Sequence, residues 1–240
     1  MIGRLQTCCH LRFLKKYKIL KSWYVTGRHY KSNTDPFRVF WVNPEEITHA
    51  VRGELGKATI HDYGPLVSEV MGGSWDTDII IFKSIDVYQA FKDRFNNGSP
   101  WEETEFFKRV IKEIQTGSTK WGCTTESQFQ QRCRELDELY EQITSTGYLS
   151  QNEIYRSYCD FSRARHTALK PNFQEVTVNV GRHGQLLFVD GRHRLSIAQL
   201  SEVDAIPVQI KCRHEKWQEL RERIAMGDRR PQQHPDLLNV

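Results

Sequence analysis

Between residues 99 and 147 the apolar positions recur at helical spacing, whereas on either side they alternate with polar residues or form short unbroken runs. Phe106, Phe107, Val110, Ile111 and Ile114 fall on one face of a helix that Gly117 ends. Ser99, Pro100 and Glu102 supply an N-cap, a first-turn proline and a capping-box acid, so this helix is predicted to start at Ser99. Phe129, Cys133, Leu136, Tyr140 and Ile143 share the face of a second helix, capped by Thr125 with Gln128 and stopped by Gly147. Both stripes are core positions and are assigned no chemistry.

Strand signals flank these helices. Phe37 to Val42 reads as a buried strand, ended by Asn43 and Pro44, with a helix start at Pro44. Gly72 and Gly73 mark a turn before the short apolar run Ile79 to Phe82. Val176, Val178 and Val180 alternate with polar residues, "GRHG" supplies a turn, and "QLLFV" follows, so residues 175 to 189 predict a hairpin. Ile206, Val208, Ile210 and Cys212 form another alternating strand, with Pro207 at its start or on an edge. Trp217, Leu220 and Ile224 stripe a closing helix, and residues 228 to 240 read as a loosely ordered tail. The sum is an α/β (α+β) domain over residues 35 to 227, with a mainly helical insertion at about 84 to 170.

Composition narrows the class. At 240 residues with 38% hydrophobic content the chain can bury an ordinary core. No stretch approaches the roughly 18 apolar residues of a membrane span. The six cysteines form no CxxC pair, so reduced thiols in the cytoplasm are expected, with neither disulfide framework nor structural zinc. The net charge of +4 is unevenly placed: residues 1 to 34 hold eight Lys or Arg and no acid, which leaves about -4 for the remainder. Within that basic arm Phe13, Leu14, Tyr17, Leu20 and Tyr24 recur at helical spacing among lysines. Such an arm can pack on the domain, lie peripherally on an anionic membrane surface, or contact nucleic acid.

The candidate chemistry sits in "VDGRHRLSIAQL", residues 189 to 200. Here Arg192, His193 and Arg194 occupy the first turn of a helix, where the dipole is already positive and cations repel. An anion among them removes the conflict. Gly191 permits close backbone approach, Arg192 and Arg194 can grip a phosphate with planar forks, and His193 can donate from its ring. Asp190 can cap the helix or hold Mg²⁺. A plainer alternative stays open, in which Asp190 is only a cap, the arginines pair with Glu202 or Asp204, and His193 is a satisfied core histidine. Trp75 and Asp76 in "GGSWD" form either a packed turn or a pocket wall. Arg182 and Arg213, each followed by His, are expected as helpers near the cradle.

The segment "FVDGRHRLSIAQLSEVDAIPVQI" resembles the signature of the ParB/sulfiredoxin superfamily, in which a strand, a glycine-containing basic turn, a helix and an "IPV" strand follow one another. The resemblance covers Glu175 to Trp217, and "GGSWD", "WGC" and "RHEKW" are further points of similarity to ParB-like proteins. It implies a nucleotide site, since the corresponding turn binds CTP in ParB, ATP in sulfiredoxin and ADP in the ADP-dependent free serine kinases. Carried over by position, Gly191, His193 and Arg194 would contact phosphate, and Asp190 would sit beside the transferred group. Glu45 and Glu46 in "NPEEI" would match the serine kinase's glutamate, although both also suit a helix start. Sulfiredoxin carries a cysteine where this chain has Arg192, so sulfinic acid reduction is not implied. ParB follows this core with a helix-turn-helix, whereas only about 25 residues follow Arg213 here.

The leading expectation is therefore a Mg²⁺-dependent phosphotransferase that uses ATP, ADP or CTP on a small-molecule or glycan-like hydroxyl. A nucleotide-responsive binding module contacting DNA or membrane is the alternative, and a ParB-like nuclease the third.

Overall fold

The computed structural model describes residues 20, 29–32, 38–52, 69–151, 153–154, 175–228 and 233–238. Seven strands form one mixed sheet: β1 Val39–Val42, β2 His49–Val51, β3 Glu69–Met71, β4 Ile79–Ile81, β5 Val176–Val180, β6 Leu186–Asp190 and β7 Ile206–His214. Their order is β1-β7-β5-β6-β2-β4, with β3 also pairing with β7. The helices named below are α1 Asp86–Asn97, α2 Glu105–Gln115, α3 Glu126–Thr146, α4 Arg192–Leu200 and α5 Glu215–Ala225. The architecture is α/β, and no described helix is long and apolar enough to cross a membrane.

The hairpin expected over residues 175 to 189 is β5 and β6, antiparallel and joined by the turn at Gly181–Gln185. Every residue of β5 is buried, Thr177 and Asn179 included, because the strand lies inside the sheet with both faces covered. β7 is central too, antiparallel to β1 and parallel to β5. Pro207 stands opposite Trp41, one residue before the pairing with β5 begins at Val208, so the strand loses no bond to β5 through the missing N–H. β1 is an edge strand and not the fully buried one expected; its burial alternates and Trp41 is 53% exposed. Phe37 lies outside the described residues.

Local capping accounts for the helix ends. Ser99 does not start α2. Trp101–Glu103 forms a separate 3₁₀ turn, and the Thr104 hydroxyl accepts from Phe107 N as the real N-cap. The buried Trp101 sets this arrangement, packing edge-on against Phe91 and Phe95 while its indole N–H donates to Asp137. Pro44 likewise opens only a 3₁₀ turn, Pro44–Glu46, capped by Asn43. Thr125 caps α3 as expected, and Gly147 ends it at a φ of +82.

The helical stretch shares one core with the sheet. Phe91, Phe106, Val110, Phe129 and Leu136 belong to the same buried cluster as Val178, Phe188, Leu195 and Val208 from the sheet and α4. Its expected continuation to residue 170 lies outside the described residues beyond Ile154.

Both proposed ends need correction. Ser32 is buried, and the Glu222 carboxylate of α5 accepts from Lys31 N, Ser32 N and the Ser32 hydroxyl, so the end of the basic arm is part of the domain. The basic amphipathic residues before His29 lie outside the described residues, Leu20 excepted. The tail is not loose over residues 233–238. Asp236 is 1% exposed and paired with two buried guanidinium groups, Arg213 at 2.6 Å and Arg221 at 3.3 Å, while Trp217 Nε1 donates to it at 3.0 Å. His234 packs edge-on against Trp217 and reaches the Gly184 carbonyl at 2.9 Å.

Candidate functional site

The junction between β6 and α4 is built around Gly191, whose φ of +90 disfavours side chains and whose absent Cβ would lie 3.1 Å from the Val176 backbone. Gly191 is also the N-cap of α4, and no side chain caps the helix. Asp190 is thus no helix cap; its Oδ1 accepts from Gly191 N at 2.7 Å. The first turn of α4 keeps its positive end open towards whatever lies in front of it.

The three basic residues there have three different fates. The Arg192 guanidinium lies 5.4 Å from the centre of the Trp121 ring. Burial lowers its pKa, while Asp190 and Asp86 oppose that shift. His193 is half-buried and lies between Trp121 at 4.3 Å and Phe91 at 5.5 Å, both stacked on its ring. Burial, reinforced by Arg132, Arg192 and Arg194, pushes it down to about 3. The neutral ring is stacked between aromatics with its Nε2 buried and without a hydrogen-bond partner in the protein, so the phosphate contact expected of His193 is not what this geometry offers. Arg194 pairs with the buried Glu175 at 3.3 Å, and Glu175 also accepts from Gln151 N. Neither Glu202 nor Asp204 is its partner, because both follow the other end of α4.

The low pKa of His193 bears on stability. Its folded pKa lies far below the usual 6.5, so the unfolded chain binds a proton that the native state refuses between those values. Stability is expected to fall steadily as pH drops from 6.5 towards 3. Urea titrations of His193→Phe across that window should give a flatter profile than the parent chain.

The predicted catalytic set is not assembled. Glu45 and Glu46 adjoin the C-terminal end of α4, where Gln199 Nε2 donates to Pro44 O at 2.8 Å and Ile47 O at 3.2 Å. Glu45 is paired with Lys83 at 2.7 Å. Nine residues of helix, roughly 13 Å, separate them from Asp190. Sequence could not place them, because the direction of α4 decides which of its ends meets the loop after β1.

Arg182 and Arg213 are likewise not helpers of the cradle. Arg182 sits in the β5–β6 turn, at the opposite end of the hairpin from Asp190, and holds the buried Asp76 through its backbone N–H and its guanidinium, at 2.8 and 2.6 Å. Burial alone would raise the Asp76 carboxyl, but these hydrogen bonds bring it down to about 2. His214 accepts from Lys216 N at the start of α5 and contacts the Gly73 carbonyl at 3.0 Å, with Trp75 beside its ring. "GGSWD" is therefore the packed turn, a clasp between a loop and the hairpin. Arg213 is committed to Asp236.

Two residues of the junction escaped sequence reasoning. Glu175 looked like the first polar position of a strand. Trp121, whose φ of +57 is rare for a bulky residue, forms the aromatic wall under Arg192 and over His193. Its signal was the neighbouring glycine in "WGC", which marks a tight turn between α2 and α3. No group of three or more His, Cys, Asp or Glu among the described residues could hold a metal by itself. Asp190 offers one carboxylate, which fits a Mg²⁺ ion that arrives already bound by nucleotide phosphates but not an ion held by protein alone. No family model matches the chain, and no curated protein and no solved structure matches it.

Proposed function

We propose that the chain binds a nucleoside di- or triphosphate at the β6–Gly191–α4 junction, in the manner its resemblance to the ParB/sulfiredoxin superfamily implies. The supporting observation is the uncapped positive end of α4 with the Arg192 guanidinium braced on Trp121 in front of it. Backbone N–H groups and one planar cation suit phosphate oxygens, with His193 and Arg194 shaping the junction from behind. Asp190 would hold Mg²⁺ brought in by ATP, ADP or CTP. That ion would neutralise phosphate charge.

Binding without phosphoryl transfer is the form of this reading that the geometry favours. A kinase needs a carboxylate near its acceptor hydroxyl, and Glu45 and Glu46 stand a helix length away. Transfer to a small-molecule or glycan-like hydroxyl is the second reading, with Asp190 as its only carboxylate at the junction from the predicted set. A nuclease has no carboxylate cluster to draw on among the described residues.

Thermal shift with ATP, ADP and CTP, each with and without Mg²⁺, tests the proposal. At a hundredfold excess over Kd the right nucleotide should stabilise the protein by about 2.7 kcal/mol, a rise on the order of 5–10 °C for a chain of this size. Arg192→Ala should weaken binding at least tenfold, which corresponds to about 1.4 kcal/mol. Asp190→Ala should remove the Mg²⁺ dependence and keep nucleotide affinity. Silence for all three nucleotides would end the proposal, and a phosphorylated acceptor would restore the kinase reading.

A further inference from the structure

Of the eight asparagines in the chain, Asn97 alone precedes a glycine. A glycine puts no side chain over its own peptide nitrogen, so that nitrogen can close on the asparagine amide carbon before it. Asn97 is the last residue of α1, and Gly98 follows in the left-handed region at a φ of +73, where a glycine is favoured. Both are exposed, and nothing lies within 4 Å of the place a Cβ on Gly98 would occupy. Solvent therefore reaches the pair.

The folded helix end holds the reacting atoms back. Gly98 N–H donates to Asp93 O, Ser99 N–H donates to the same carbonyl at 3.0 Å, and Asn97 Nδ2 donates to Asp93 Oδ1 at 3.2 Å. A nitrogen must give up its proton before it attacks, and this proton is engaged. The five-membered ring that the attack closes also does not fit helical dihedrals at Asn97. Fraying of the last turn lifts both restraints at once, and helix ends fray far more readily than a domain unfolds.

We propose that Asn97 is a site of spontaneous deamidation, gated by fraying of the α1 C-terminus, and that its product loosens the turn leading to Trp101. Gly98 N passes its proton to a solvent base and bonds to Asn97 Cγ. The Cγ–Nδ2 bond breaks, and ammonia leaves with a proton taken from water. Water then adds to one carbonyl of the succinimide and opens it to aspartate or isoaspartate at position 97, with no change of oxidation state. The neutral amide has become a carboxylate, four residues from Asp93 and at the negative end of the helix dipole. An attractive contact with Asp93 turns repulsive, beside the segment from which Trp101 donates to Asp137. The site is independent of the nucleotide reading.

Peptide mapping by mass spectrometry tests this on the full chain, aged in mildly alkaline buffer either folded or in denaturing urea. Position 97 should convert to a mixture of aspartate and isoaspartate, the latter read with an isoaspartyl methyltransferase, ahead of every other asparagine. The unfolded chain should react at least about tenfold faster, which corresponds to about 1.4 kcal/mol for opening the turn. The folded rate should hardly change at low urea, because fraying exposes little surface, whereas a route through global unfolding would accelerate steeply. Asn97→Gln should give no product at this position. Asn97→Asp should lower the melting temperature by about 2–4 °C, and adding Asp93→Asn should restore most of it. The proposal is overturned if position 97 keeps its amide in either state, if folded and unfolded chains react equally, or if the folded rate climbs steeply with low urea. A melting temperature unmoved by Asn97→Asp would overturn the loosening of the turn.

Discussion

Asp236→Ala is expected to cost about 3–5 kcal/mol, because it strands buried guanidinium groups that have just lost their counterion. Arg213 and Arg221 are 2% and 1% exposed, and the Asp236 carboxylate is the anion that both contact. That loss is a large fraction of the 5–15 kcal/mol typical of a domain. The measurement is a urea midpoint, with Trp217 fluorescence reporting on the same cluster. The effect should depend on pH. Burial would raise the Asp236 carboxyl above 3.8, but Arg213 and its hydrogen bonds hold it below that value. A depressed folded pKa contributes stability that is present above 3.8 and is lost as pH falls through the folded value. The parent chain should therefore lose stability in acid more steeply than Asp236→Asn, starting from a higher plateau.

Phe91→Ala is the second large effect, again about 3–5 kcal/mol. Phe91 is fully buried in α1 and touches the rings of Phe95, Trp101 and His193. Through His193 it joins the helical region to α4 and hence to the β6–Gly191–α4 junction. If the helices formed a separate unit, the variant would melt them and leave the sheet intact, giving two transitions. The shared core predicts one transition, with far-UV and near-UV circular dichroism superimposable and only the midpoint moved. Nucleotide affinity should drop only where the native population drops.

Much of the fold was legible because it follows from local pattern. The β5–β6 hairpin, the Thr125 cap and the glycine stop at Gly147 each depend on residues within a few positions of one another. What escaped depends on contacts across the chain. Ser99 carried every mark of an N-cap, yet Trp101 found a hydrogen bond to Asp137, a residue 36 positions away, and moved the helix start to Thr104. The tail looked polar and proline-rich, and nothing near it announced that Arg213 and Arg221 required its aspartate. The candidate site was legible only in its local part, for the same reason. Clustered basic residues at a helix start can be read from the sequence, but Glu175, which pairs with Arg194, and the aromatic pair Phe91 and Trp121, which stack on His193, come from other elements. The acids at the far end of α4 were noticed only as partners for the arginines; their distance from them emerged once the direction of the helix was known.

The anchoring of Ser32 by Glu222 changes how the basic segment must be investigated. A truncation after residue 34 would strip α5 of a buried neighbour and leave Gln218 without the hydroxyl it reaches at 2.8 Å, so lost lipid or DNA retention could reflect damage to the domain. Cutting ahead of His29 spares that anchorage. The same anchorage places Lys31 and Ser32 beside α5, where the Glu222 carboxylate accepts from both backbone N–H groups.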